Sequence, residues 1–267
     1  MTADRVLVAL RLARPARRRG FCPACAFLLP GDPGDRRGTE ASAEGITVAV
    51  VLAVATVAWA VTGWQMLAAG MPMGLGSLPR FATTWMVMMT AVMLPSAVPL
   101  FSRFARRAEG RRRRPYAVAT LGSIYLLLWL VFGLVGYLTY AALGMPWPEQ
   151  TLVNGVALAS AAVYALTPLK RRSQDRCREV CALHGPLPFG LVRAGAVVGW
   201  RYGLSCLACS GGLMVAMVLT GMTSLGLTIV LAGLVLLDKA WPRAAWHSEV
   251  ASATFLFVIA VGYVALA

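Results

Sequence analysis

Long apolar segments alternate with short polar ones from residue 46 to the end of the chain. A helix that crosses a bilayer needs about 20 mostly apolar residues. Seven segments come close to that length, at residues 46–69, 81–101, 117–143, 151–169, 203–220, 225–240 and 247–266. The pattern predicts an all-α transmembrane bundle of about seven spans, with a turn from Ala194 leading into the fifth. Six spans remain an alternative if the fifth and sixth segments form a re-entrant pair.

The composition supports an integral membrane protein. Hydrophobic residues make up 58% of the chain and charged residues only 13%. A soluble domain of 267 residues needs more polar side chains than this to cover its surface. We therefore expect the lipid bilayer to surround most of the chain.

Basic residues are concentrated between the apolar segments. The chain has 25 Lys and Arg against 11 Asp and Glu, a net charge of +14. Such an excess can indicate nucleic-acid binding, but here it falls in loop 102–116, in segment 170–193 and in the N-terminal tail. Short basic loops beside membrane spans face the cytoplasm. The distribution predicts a cytoplasmic N-terminus, an external C-terminus and no nucleic-acid partner.

The first 45 residues differ from the rest of the chain. Their apolar run at residues 6–10 is interrupted by Arg11 and followed by further arginines, unlike a signal peptide. The stretch GDPGDRRGTEASAEG is rich in glycine and charge, as linkers are. We expect residues 1–45 to form a largely disordered cytoplasmic tail and residues 46–267 to form the transmembrane domain.

The cysteines occur as three closely spaced pairs: Cys22 and Cys25, Cys177 and Cys181, and Cys206 and Cys209. In the predicted topology all lie in the cytoplasm or near the cytoplasmic end of a helix, where thiols stay reduced. Close pairs of reduced thiols are typical of metal ligands. The pair in segment 170–193 lies among arginines, which favour the thiolate, so a redox pair is an alternative there. His184 is a candidate nitrogen ligand beside that pair.

Methionines mark the second predicted span. Met86, Met89 and Met93 have the i, i+3, i+7 spacing that places side chains on one face of a helix. Met88 is expected to point elsewhere. These thioethers are candidate metal ligands, although a methionine stripe on a membrane helix also serves packing.

Further methionines extend the sulfur pattern. Met217 follows Cys206 by eleven residues and returns to the same stripe of the fifth span. Met71 and Met73 lie near the outer end of the first span. The ligand type is thus graded, with thiolates inside and thioethers through the middle and outside. Thiolates and thioethers select Cu(I), and thiolates also suit zinc.

Few other groups suggest chemistry. Asp238 and Lys239 stand near the inner end of the sixth segment, where a charge either faces a cavity or reaches to the membrane surface. The chain has no Gly-rich phosphate loop, no HExxH and no serine nucleophile elbow. We therefore expect a protein that is not an enzyme, while thiol redox activity stays open.

Four motifs resemble a family of bacterial integral membrane proteins, predicted to bind metal and formerly of unknown function: WMVMMTAVMLPSAVPL, YALTPLKRRSQDRCREVC, YGLSCLACSGGLM and VLLDK. One branch of that family includes the membrane copper chaperone associated with tyrosinase. The resemblance covers roughly residues 80–245 and implies a multi-pass protein of the bacterial inner membrane. Members often have another cysteine where this chain has Ser210, and Glu where it has Asp238.

The family's motifs fall on eight sulfur residues of this chain, Met86, Met88, Met89, Met93, Cys177, Cys181, Cys206 and Cys209. The residues and the resemblance favour a copper-handling membrane protein. Cytoplasmic thiolates would collect Cu(I), and methionines would pass it outward to a secreted or membrane-bound copper enzyme. Two alternatives remain: a structural or assembly subunit of a membrane complex, with sulfur used for packing or one zinc ion, and a thiol redox membrane protein.

Overall fold

The computed structural model describes residues 43–68, 75–145, 150–183, 190–219, 225–240 and 246–265. Eight helices and no strand occur in these ranges, which confirms the all-α prediction. The helices are α1 (Ala43–Ala68), α2 (Leu78–Arg107), α3 (Arg114–Ala142), α4 (Gln150–Ala165), α5 (Pro168–Ala182), α6 (Leu191–Leu219), α7 (Leu225–Ala240) and α8 (Trp246–Ala265).

Several helices are compatible with a membrane protein. Within the described ranges, α1, α2, α3 and α6 are each long and apolar enough to cross a bilayer. A fifth span results if α4 and α5, bent by 68° at a short break, are counted together. The predicted seven spans and the cytoplasmic N-terminus are therefore not confirmed.

The break between α4 and α5 corrects the sequence interpretation of this region. The predicted span 151–169 ends at Ala165, and the predicted basic loop begins as helix α5. Thr167 lies in an extended conformation and its hydroxyl oxygen accepts a hydrogen bond from the Lys170 amide. Pro168 disfavours a helical conformation at the residue before it and suits the first position of a new helix. The TPLK motif is therefore a helix start.

Helix α6 begins well before the predicted Gly203. The fifth span is predicted to begin at Gly203 after a turn from Ala194, in a region that contains Arg193 and Arg201. Both arginines lie on the exposed face of one continuous helix, whereas Ala194 and Tyr202 lie on its buried face. The expected turn at Ala194 is part of this helix. The connection from α6 to α7, at residues 220–224, lies outside the described residues.

Helices α2 and α6 form the centre of the bundle. Their most apolar stretches are 67% and 61% buried, against 28% for those of α1 and α3. Helix α2 contacts α1, α3, α5 and α7, while α6 contacts α3, α4, α5 and α7. Large side chains on the outer helices, such as Val57 and Leu138, are exposed. An apolar outer surface of this kind suits a lipid environment.

A row of glycines brings α6 against α3. Gly195, Gly199 and Gly203 recur every fourth residue. A Cβ atom added at Gly199 would lie 2.6 Å from the carbonyl oxygen of Leu121, and one at Gly195 would collide with the backbone of Ala117. Small residues at this spacing let membrane helices approach closely, where packing replaces the hydrophobic effect as the driving force.

A second close contact joins α2 to α3. The indole nitrogen of Trp85 donates to the carbonyl oxygen of Trp129 over 2.8 Å. The Trp85 ring occupies the space that a side chain at Gly133 would need. Both tryptophans are fully buried, so this hydrogen bond and the missing Cβ atom set the distance between the two helices.

The close approach of α3 and α6 should make the protein sensitive to a larger side chain at their contact. Gly199→Ala should lower the free energy of unfolding by about 1–3 kcal/mol, the usual cost of overpacking, because backbone atoms of α3 cannot rotate away. Gly63→Ala on α1 is the matched control, since no atom lies within 4 Å of its added Cβ. The thermal midpoints of both variants in detergent test this. Equal midpoints would contradict the close contact.

Candidate functional site

Cys206 and Cys209 are buried at the centre of the bundle. They lie on α6 with i, i+3 spacing, and Cys206 has no exposed surface. The Cys209 thiol donates to the Cys206 carbonyl oxygen at 3.4 Å and lies equally far from the Ser210 hydroxyl. The two thiols of the CLAC motif therefore face the protein interior.

Cys177 joins these two thiols from a different helix. Helix α5 packs on α6, and the buried Cys177 side chain interacts with both Cys206 and Cys209. Thiols that are far apart in the sequence are thus brought together by the α5–α6 contact. The structure unites three of the predicted cysteines at one place, which we call the thiol cluster (Cys177, Cys206 and Cys209).

A lysine reaches the thiol cluster from α7. The Lys239 amine donates to Cys206 Sγ at 3.0 Å and to Ser96 Oγ at 2.8 Å. The same amine lies 5.5 Å from the centre of the Tyr202 ring, an attractive arrangement for a cation. Lys239 therefore turns into the bundle and places a positive charge next to a cysteine.

Hydroxyl groups complete the polar surroundings. Tyr125 of α3 shares a hydrogen bond of 3.3 Å with the Cys206 thiol. Ser96 of α2 donates to the Met93 carbonyl oxygen at 2.8 Å, and Tyr202 donates to the Ser96 carbonyl oxygen at 3.4 Å. Ser96 can hold Lys239 because its hydroxyl donates to its own helix and keeps a lone pair for the amine.

Cys181 lies apart from the thiol cluster. It is one helical turn beyond Cys177 on α5 and is partly exposed, whereas the other three described cysteines are buried. The guanidinium of Arg103 donates to the Cys181 carbonyl oxygen at 3.1 Å and lies 4.0 Å from its sulfur. The structure therefore separates the pair predicted at positions 177 and 181 into one inner and one outer thiol.

The methionines of α2 are mostly buried in the core. Met88, Met89 and Met93 have no exposed surface, and Met86 is partly exposed. Met88 is as fully buried as Met89 and Met93, because neighbours pack around α2 on several sides. Met217 of α6 is also buried. The structure gives these thioethers an interior position, and their role as ligands stays a prediction.

The described residues contain no set of three His, Cys, Asp or Glu side chains arranged to hold a metal ion as they stand. The thiol cluster is therefore an association of thiols with a lysine and a tyrosine, not a closed ligand shell. Sulfur atoms would have to turn toward a metal ion to bind it.

Several predicted ligands fall outside the described residues, namely Cys22, Cys25, Met71, Met73 and His184. Asp238 belongs to helix α7, but the Asp238 side chain is also outside the part of the chain that the structure describes.

Sequence reasoning missed the hydroxyl groups that contact Cys206 and Lys239. Tyr125 and Ser96 are ordinary residues of apolar helices and carry no signal in one sequence. Lys239 did carry one, because a charge within an apolar helix usually faces a partner. Of the two alternatives that the sequence left open for Lys239, its contacts with Cys206 and Ser96 match the inward one.

The fold and the site define an all-α protein with several helices of membrane-spanning length and a buried cluster of thiols beside a lysine. The sequence model of the PpoB2 copper chaperone family matches residues 82–264. The chain belongs to this copper chaperone family, as its motifs predicted. No curated protein and no solved structure gives a significant match.

The exposure of the cysteines predicts their reactivity. In the folded protein, a water-soluble maleimide should label Cys181 well before Cys177, Cys206 and Cys209, because only Cys181 is partly exposed among these four. Mass spectrometry of the peptides measures the labelled fraction at each position. The same chain unfolded in detergent is the control, where all four should react. Labelling of Cys206 as fast as Cys181 in the folded protein would contradict the burial of the thiol cluster.

Proposed function

We propose that the chain binds Cu(I) at the thiol cluster and passes it by ligand exchange to a copper enzyme. The single observation that carries this proposal is the meeting of three thiols and the Lys239 amine around Cys206 in the interior of the bundle. Membership in a copper chaperone family supports the choice of cargo.

The charges around Cys206 favour a monovalent ion. Two thiolates and one Cu(I) carry a net charge of −1, which is costly in an apolar interior unless a cation compensates it. The Lys239 amine, 3.0 Å from Cys206 Sγ, provides that charge. Zinc prefers four ligands in a tetrahedron, whereas Cu(I) is satisfied by fewer soft sulfur donors. The thiol cluster therefore fits Cu(I) better than zinc.

The buried methionines suit onward transfer. A thioether is a soft, neutral donor, so it can hold Cu(I) without placing another negative charge in the bundle. We assign this role to Met217 of α6 and to the methionines of α2, which are Met86, Met88, Met89 and Met93. All of these except Met86 are buried. Ligand exchange between sulfur atoms leaves copper as Cu(I), so the proposed role is not enzymatic.

The cellular setting follows from the charge distribution and the family. We place the chain in the bacterial inner membrane with its basic segments in the cytoplasm, by the positive-inside rule. The client is then a copper enzyme in the membrane or outside it, of the tyrosinase kind that the family resemblance implies. Copper would move outward, from thiolates to thioethers.

Copper titration tests the proposal. The full chain with Cys22→Ser/Cys25→Ser, which removes the tail thiols, is titrated with Cu(I) without oxygen against a chromogenic Cu(I) chelator. Cys206→Ser/Cys209→Ser in this background should weaken Cu(I) binding by at least about tenfold, or 1.4 kcal/mol. Met89→Leu/Met93→Leu should keep the thiol site but slow the release of copper to an acceptor.

Met66→Leu on α1 is the control, because Met66 lies outside the proposed path. Unchanged Cu(I) binding in the cysteine variant would remove the proposal and favour a structural or assembly subunit, and an unchanged rate of copper release in the methionine variant would remove the transfer role of the methionines. Thiols that cycle between oxidised and reduced forms, with no bound copper, would favour a redox protein instead.

A further inference from the structure

Cys181 occupies a distinct position among the four described cysteines. It lies four residues after Cys177 on α5, a spacing that places two side chains on the same face of a helix. Cys177 in turn interacts with Cys206 and Cys209. The described thiols thus range from the partly exposed Cys181, one helical turn away from Cys177, to the fully buried Cys206.

The surroundings of Cys181 are strongly basic. The side chain of Arg103, from the C-terminal part of α2, contacts both the carbonyl group and the sulfur of Cys181. Helix α5 carries further cationic residues on its exposed and half-exposed surface, Arg171, Arg172, Arg176 and Arg178. Only two acidic residues, Asp175 and Glu179, oppose them on this helix. The positive charge would attract an anion and repel a free cation.

We propose that Cys181 is the thiol at which copper is loaded, and that the donor is an anionic Cu(I) complex of a small cytoplasmic thiol. This inference rests on the proposed function, because it assumes that the thiol cluster binds Cu(I). A cytoplasmic Cu(I) ion held by two small thiolates has a net charge of −1, before any charge of the thiol compound itself is counted. Such a complex matches the basic surface around Cys181, which bare Cu(I) does not.

The transfer is a sequence of balanced ligand exchanges. The Cys181 sulfur forms a bond to copper, one bond from copper to a donor sulfur breaks, and the Cys181 proton leaves on the departing small thiol. The Cys177 sulfur then displaces the second donor thiol in the same way. Copper stays Cu(I) throughout, the complex keeps its charge of −1, and no oxidant or reductant is needed. Cys206 and Cys209 then replace Cys181 and Cys177 on copper, two new copper–sulfur bonds replace the two that break, and the protons of Cys206 and Cys209 pass to the sulfurs of Cys181 and Cys177.

Geometry explains why loading would not begin at the thiol cluster itself. Cys206 has no exposed surface and Cys177 is 6% exposed, so a donor that carries its own ligands cannot reach either sulfur. Cys181 is accessible and is fixed in place, because Arg103 donates to the last turn of α5 through the Cys181 carbonyl oxygen. Arg103 therefore has two effects, holding the end of α5 and placing positive charge beside the loading thiol.

Loading kinetics test this inference on the full chain with Cys22→Ser/Cys25→Ser. The probes are Cu(I) bound by glutathione, which is an anionic donor, and Cu(I) bound by acetonitrile, which is cationic. Cys181→Ser should slow loading from the glutathione complex by about tenfold or more, while the copper bound at equilibrium stays that of the parent. The same substitution should slow loading from the Cu(I)–acetonitrile complex less, because that complex is small and its ligands are weakly bound.

The charge is tested at Arg103. Arg103→Gln should slow loading from the glutathione complex by about tenfold and reduce the effect of added salt, whereas Arg103→Lys, which keeps the charge, should load much faster than Arg103→Gln. Arg80→Gln, an exposed arginine at the opposite end of α2, is the control and should load like the parent. Arg103→Gln should not slow loading from the cationic acetonitrile complex.

The outcomes separate this inference from the proposed function. Parental loading rates in Cys181→Ser, or equal rates in Arg103→Gln and Arg103→Lys with the glutathione donor, would overturn the loading role of Cys181 and leave the thiol cluster intact. Loss of equilibrium copper in Cys206→Ser/Cys209→Ser supports the proposed function independently. If that double variant binds copper like the parent, the proposed function itself fails.

Discussion

The contact between the Lys239 amine and the Cys206 sulfur, over 3.0 Å, is the interaction on which the interior of this bundle depends. An amine inside an apolar bundle is costly unless polar partners surround it. Cys206, Ser96 and the Tyr202 ring supply those partners from α6 and α2. The same contact therefore ties α7 to the two central helices and places a positive charge where thiols gather.

The packing of α3 on α6 serves the same site. The glycines at positions 195, 199 and 203 allow the backbones of the two helices to approach closely, and this approach lets Tyr125 of α3 reach Cys206 of α6. The break at Thr167 and Pro168 has a comparable effect, because it turns α5 by 68° from α4. Helix α5 then packs on α6 and carries Cys177 to the thiol cluster.

Much of the fold could be predicted because apolar length is recorded directly in the sequence. The helices α1, α3, α7 and α8 begin and end within a few residues of the predicted segments. The prediction failed where charge and burial lie on opposite faces of one helix, as at Arg201 and Tyr202 of α6. Periodicity alone did not show that Met88 is buried as well, because α2 is packed on several sides.

The sequence by itself determined the all-α class, the helices of membrane-spanning length, the membership of a copper chaperone family and the residue types that suit a soft metal ion. Those features depend on composition, spacing and motif order, which are local properties of the chain. Only the tertiary structure decided that Cys177 joins Cys206 and Cys209, that Cys181 stays outside them beside Arg103, and that Lys239 turns inward. The physical reason is that these contacts join different helices, and the angles and distances between helices come from packing across the whole bundle.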